Sequence, residues 1–123
     1  MIIKIEKILR TLLLENGFIN VYCNQFGSEI ENGILIRRDG SFEINNYLPI
    51  ENARVFILCR EKHPEIAMER ALEINNFLHK KEHFMIQNVS ILGIFQNIGI
   101  SPLVDDDTDL FQTFCYYEVK YLK

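Results

Sequence analysis

The sequence has no excess of positive charge, no long apolar run and no even set of cysteines, and each lack closes off a class of protein. Thirteen lysines and arginines stand against seventeen aspartates and glutamates, a net charge of −4. The chain as a whole therefore exerts no electrostatic attraction on nucleic acid or an anionic membrane. Its basic pairs, Arg37-Arg38 and Lys80-Lys81, are isolated, as on solvated faces or helix ends. No segment approaches the roughly 20 apolar residues of a membrane helix. The opening Met1-Ile2-Ile3-Lys4-Ile5-Glu6-Lys7 is broken by charge too often for a signal peptide. Cys23, Cys59 and Cys115 are odd in number, far apart and set in apolar, strand-like runs without a Cys-x-x-Cys pair. They are expected as reduced, packed thiols of a cytosolic protein. Asn88-Val89-Ser90 fits a glycosylation sequence, which has no meaning without a secretory route.

Catalytic signatures are also missing. The six glycines are scattered and form neither a Gly-x-Gly-x-x-Gly run nor a phosphate-cradling loop. There is no Gly-x-Ser-x-Gly nucleophile turn, and no cysteine stands with a histidine in a convincing setting. Low-complexity segments, internal repeats and linkers are absent.

What remains is the composition of a single folded domain spanning residues 1–123, 48% hydrophobic and 24% charged, large enough to bury a core without staples. Ile5, Ile8, Leu9, Leu12 and Leu13 recur at helical spacing and predict an amphipathic first helix, ended by Asn16-Gly17. Residues 18–23 read as a strand and 24–32 as a polar loop. Residues 33–38 and 41–47 flank Asp39-Gly40, a strong hairpin signal because both turn residues tolerate positive φ. The clearest strand covers residues 52–60. Ala53, Val55, Ile57 and Cys59 share one face, while Phe56 and Leu58 lie between Arg54 and Arg60 on the other. A strand apolar on both faces is covered twice, and the second cover could be another subunit. Pro64-Glu65 opens a second helix with a stripe of Ala67, Ala71, Ile74 and Leu78, finishing in the basic His79-Lys80-Lys81. Residues 84–95 predict a strand with Gly93 as a bulge, 98–104 a shorter one interrupted by Pro102, and 110–121 the last and longest. On that last strand Thr113, Cys115, Tyr117, Val119 and Tyr121 share a face with Phe111. The order predicts an α+β fold: a two-layer sandwich with a mainly antiparallel sheet and two helices on one face.

Two clusters invite a chemical reading. His79-Lys80-Lys81-Glu82-His83 matches H-x-x-E-H, in which two histidines one turn apart bind zinc and the glutamate activates water. The match falls where the helix should end, and two lysines inside it oppose a dication, so a basic helix terminus explains it better. Asp105, Asp106, Asp107 and Asp109 form an acidic turn whose alternation matches the start of a calcium loop. Leu110 then stands where glycine is needed and Tyr116 where the bidentate glutamate belongs, which leaves a solvated turn. Tyr116, Tyr117 and Tyr121 suit core and interface better than base stacking. No metal or cofactor is expected.

The whole pattern resembles the minor capsid and tail-terminator proteins of long-tailed bacteriophages and prophages. The resemblance rests on the N-terminal helix, the strand ending Cys59-Arg60, the Ala-containing helix ending Leu78-His79, the Ser101-Pro102-Leu103 step, the aspartate turn and the strand 111–121. It implies a non-enzymatic subunit that assembles into a hexameric ring on the tail tube and offers the head-joining surface. Its partners would be the tube protein and a head-completion protein. DNA would pass through the ring without specific binding, and the protein would sit in the virion tail after assembly in the host cytoplasm. Candidate contact residues are Arg37 and Arg38 in the hairpin, Phe56 and Leu58 on the second strand face, and Asp105, Asp106, Asp107 and Asp109 in the turn. The competing expectations are a small protein-binding or regulatory module using the sheet face, and a metal-dependent hydrolase using His79, Glu82 and His83.

Overall fold

The computed structural model describes residues 3–25, 30–39, 49–103 and 110–122. Within them the order is α1 (Ile5–Glu15), β1 (Val21–Cys23), β2 (Gly33–Asp39), β3 (Ile50–Glu61), α2 (Pro64–Leu78), β4 (Lys81–Ile86), β5 (Val89–Leu103) and β6 (Phe111–Leu122). The strands form one curled α+β sheet in the order β1-β2-β3-β6-β5-β4. All its pairings are antiparallel except β1 with β2. The expected hairpin turn at Gly40, its returning strand 41–47 and the aspartate turn lie outside the described residues.

Register sorts the side chains. One face carries the rows Val21–Ile34–Cys59–Thr113 and Cys23–Ile36–Ile57–Cys115, then Val55–Tyr117 and Ala53–Val119–Ile94. Both helices bury their stripes here. Ile5, Leu9 and Leu13 of α1 and Ile74 and Leu78 of α2 join one core with these strand residues. The predicted alternation of β3 and β6 is thus realised, and both helices occupy one side of the sheet. Tyr117 and Tyr121 are fully buried in this core. The Tyr117 hydroxyl donates to Asn75 Oδ1 at 3.0 Å, which satisfies a phenol that could not otherwise be buried cheaply.

α1 ends at Glu15 and is closed by Gly17, whose φ of +91° is the left-handed conformation expected there. The strand predicted from residue 18 begins only at Val21, because Asn20 is itself left-handed at φ 56° and Phe18 turns to stack on Phe77, 5.8 Å between ring centroids. The curl brings α1 against both ends of the sheet order. Arg10 Nε donates to the Val21 carbonyl at 2.8 Å on β1, and Thr11 accepts from Gln87 Nε2 at 3.3 Å at the β4–β5 turn.

The second half differs from expectation in its turns. Gln87 and Asn88, both with positive φ (49° and 63°), make a tight turn between β4 and β5 where a single bent strand was predicted. Conversely, Pro102 does not interrupt β5. It sits opposite Thr113, beyond the last β4 pairing at Ile94, where among the described residues β5 pairs with β6 alone, and an edge is where a strand accepts proline. Gly93 is a bulge as predicted, with register shifting between Ile91 and Gly93.

Candidate functional site

The sheet face away from the helices carries three of the candidate contact residues, Arg37, Phe56 and Leu58. Register sets two rows across its centre, Tyr22–Leu35–Leu58–Phe114 and Arg37–Phe56–Tyr116. Leu35, Phe56 and Leu58 form a second, smaller buried cluster, with Tyr22, Phe114 and Tyr116 packed at its border. The three rings meet at centroid distances of 5.2 to 5.9 Å, with Phe114 edge-on to Tyr116, geometries that aromatic quadrupoles favour. The doubly apolar β3 inferred from sequence is therefore real. Phe56 and Leu58 are only 7% and 4% exposed, so they hold this face together and their neighbours present it.

Those neighbours are two arginines and, in the next row, the acids Asp39 and Glu118 on either side of Arg54. Arg37 lies exposed with its guanidinium 4.8 Å from the Phe56 ring centroid. Arg54, diagonal to it on β3, lies exposed with its guanidinium 6.0 Å from the Tyr116 centroid. Stacking covers one side of each cation and leaves the N–H rim outward. Arg60, at the far end of β3, is half-buried and donates to Gln112 Oε1 and to the Ile30 carbonyl. Sequence reasoning did not single out Arg54 or Tyr116 as site residues. The signal was the alternation Arg54-Phe56-Leu58-Arg60 on one face.

Arg37 and Arg38 part company. Arg38 falls on the helix face, 9% exposed, where it donates to the Tyr121 hydroxyl at 3.3 Å and pairs with Glu51 at 3.6 Å. Burial raises the Tyr121 pKa, and the Arg38 charge opposes that rise. Arg38 therefore ties β2 to β3 and β6 from within. Asp105, Asp106, Asp107 and Asp109 lie outside the described residues.

The H-x-x-E-H residues do not share a helix. α2 ends at Leu78, one residue before the motif, and Lys80 turns left-handed at φ 66° as its N–H bonds to the Ile94 carbonyl. His79 caps the helix and accepts the Gln96 N–H on Nδ1 at 3.0 Å, while His83 stands 77% exposed on β4. Lys81, expected as a helix-end charge, starts β4 with its ammonium 4.5 Å from the Phe77 centroid and 5.5 Å from that of Phe84. Among the described residues no three of His, Cys, Asp and Glu converge to hold a metal ion, and no helix is long and apolar enough to cross a membrane.

Other polar groups serve the framework. Glu61, 4% exposed, lies 3.0 Å from Arg70 Nη1 as an ion pair without hydrogen-bond geometry. Asn32, its amide oriented nitrogen-first, donates to the other Glu61 oxygen at 2.6 Å. Burial pushes the Cys59 thiol up to about 12, against the pull of Arg70. Burial also raises Cys115 and Cys23. An open cleft beside α1 is lined by Lys7, Arg10, Thr11, Cys23 and Gln87, a set with neither carboxylate nor imidazole for acid–base work.

No protein-family model matches the chain, and no curated protein matches it. Among solved structures, the fold is similar to a chain in the virion of a native gene transfer agent particle, with a TM-score of 0.67 at 10% identity. The similarity covers 91% of this chain and 84% of that one.

Proposed function

We propose that the chain is a non-enzymatic structural protein of a phage-like particle and acts there as the tail terminator. In this role a ring of copies, six by the family pattern, caps the tail tube, stops its growth and offers the head-joining surface. The observation that carries the proposal is the likeness of nearly the whole fold to a virion chain.

Three features support it. Arg37, Phe56 and Leu58, three of the candidate contact residues, gather on a broad sheet face rather than in a pocket. Both sheet edges are blunted. Arg10 occupies the Val21 carbonyl on β1, and left-handed His83 (φ 50°) interrupts β4, so copies would meet through faces and turns rather than by strand addition. The net charge of −4 suits a channel that lets DNA pass without holding it. The partners in this role are the tube protein and a head-completion protein, met in the host cytoplasm during assembly and retained in the virion tail.

The test is deletion of the coding sequence from the element that makes the particle, followed by electron microscopy. Tails of uncontrolled length and filled heads without tails, both corrected by supplying the chain in trans, are expected. Particles of normal length and normally joined in its absence would overturn the proposal.

A further inference from the structure

The cleft beside α1 lies where that helix spans the two ends of the sheet order, with Cys23 on the β1 side and Gln87 at the β4–β5 turn. It measures about 490 Å³, inside the range of small-molecule sites, roughly 300–1,000 Å³. Its lining of Lys7, Arg10, Thr11, Cys23 and Gln87 contains no hydrocarbon side chain. An apolar ligand therefore gains little there, and a charged one gains most.

The cations of the cleft are unpaired. Lys7 and Arg10 are exposed and three positions apart on α1, which makes them neighbours on one side of the helix. Neither has a carboxylate within ion-pair distance among the described residues. The acids of the same helix are Glu6, which is buried, and Glu15, exposed beyond the next turn. The Cys23 thiol senses the balance at the cleft wall. Burial raises its pKa, and then Arg10 lowers it, Glu6 raises it and Lys7 lowers it again, so cations are two of the three charges acting there. Lys7 also stands in the first turn of α1, where the helix dipole opposes a positive charge. Helix energetics alone give no reason for it.

The donors are already held in place. Arg10 Nε is fixed on the Val21 carbonyl at 2.8 Å, which leaves both Nη groups without a partner among the described residues. Gln87 Nε2 donates to Thr11 Oγ1 at 3.3 Å, and Thr11 in turn donates to the Lys7 carbonyl at 3.1 Å. A guanidinium fork, an ammonium and the remaining amide hydrogen of Gln87 thus line one cleft, with little side-chain freedom left in the arginine to lose on binding.

From these unpaired cations in a polar, pre-arranged cleft we propose that it binds a small phosphate dianion, inorganic phosphate or a phosphate monoester. Charge and shape select this class. Two cations match a dianion, and the guanidinium fork matches two phosphoryl oxygens. A long polyanion such as DNA is instead repelled by the net charge of −4. Because the walls come from β1 and the β4–β5 turn, occupancy also clamps the two ends of the sheet order to α1 and stabilises the fold.

The test is alkylation of Cys23 by iodoacetamide in the full chain at pH 8, read by mass spectrometry, with potassium chloride holding ionic strength constant. Inorganic phosphate and glycerol phosphate should slow the reaction saturably and raise the melting temperature. Equal protection by the two assigns the phosphoryl group alone, and protection at lower concentrations of the ester assigns a monoester. Lys7→Glu should move half-protection to ~tenfold higher concentration or more, as for loss of one charge-assisted hydrogen bond. Lys7→Gln takes its place if circular dichroism shows that the reversal unfolds the chain. The site is overturned by absence of saturable protection with both phosphates, by protection unchanged in the Lys7 variant, or by stronger protection from a short DNA duplex.

Discussion

Arg38 and Glu51 pair across adjacent strands at 3.6 Å, both under the helix layer, and the Tyr121 hydroxyl accepts from the same guanidinium at 3.3 Å. Next to it in sequence, Arg37 points the other way, into solvent over Phe56. Two consecutive arginines thus do different work, and their removal should have unequal effects. Arg38→Ala strands a largely buried carboxylate and should cost about 2 kcal/mol, whereas Arg37→Ala loses only an exposed stacking contact worth about 0.5–1 kcal/mol. Urea unfolding of the two variants checks this, and equal costs would contradict the burial difference.

Tyr117→Phe removes the donor to Asn75 from a fully buried ring and leaves the Asn75 carbonyl oxygen without that donor. A loss of about 1 kcal/mol is expected. In a double-mutant cycle with Asn75→Ala, the coupling should account for most of it.

At Gly93 a β-carbon would lie 2.5 Å from Phe95 Cε2 and 2.9 Å from Cζ. Gly93→Ala must therefore displace the ring, at a cost of about 1–3 kcal/mol. The same substitution in a Phe95→Ala background should cost much less. An unchanged penalty would place the strain in the backbone instead.

The Cys59 thiol titrates in the folded chain at about 12 against an ordinary value of 9.0, owing to burial. A folded pKa above the unfolded one means a stabilising contribution that is whole below about pH 9 and disappears as pH rises towards 12. Alkaline unfolding should therefore be shallower in Cys59→Ala than in the wild type once their different stabilities at pH 7 are subtracted. In the native protein at pH 8, a thiol reagent should reach half-exposed Cys23 first, with Cys59 and Cys115 protected until unfolding.

His79 should behave as a helix-end acceptor. His79→Ala removes the acceptor of the Gln96 N–H and should lower stability by about 1 kcal/mol, with His79→Asn recovering part of it. Stoichiometric zinc should leave the melting temperature of the wild type unchanged. A clear zinc-dependent rise would revive a metal role for His79, Glu82 and His83.

Where sequence reasoning succeeded, the signal was periodic and local. Ala67, Ala71, Ile74 and Leu78 specify α2, and the alternation from Ala53 to Cys59 specifies a strand with two apolar faces. It failed where a distant partner decides. The Gln87-Asn88 turn lacks a glycine, and only the Ile86–Val89 pairing reveals it. Pro102 is tolerated because β4 does not reach that far, a fact about another segment's length. The divergence of Arg37 and Arg38 follows from strand parity, but the partners of Arg38 come from Glu51 and Tyr121, 13 and 83 positions away. Of the candidate contacts, Phe56 and Leu58 were legible as a second apolar face. Their burial within one chain depends on Leu35 and the β6 aromatics, which only register brings together.

The reach of α1 across the curl has a kinetic consequence. It precedes every other described element in the chain, yet its Thr11 contact at Gln87 lies 76 residues downstream, and its apolar stripe packs in a core completed by β5 and β6. During synthesis Ile5, Leu9 and Leu13 must wait uncovered until most of the chain has emerged. Folding of this protein should then be slow for its size. In that interval the waiting helix is the segment most in need of a chaperone.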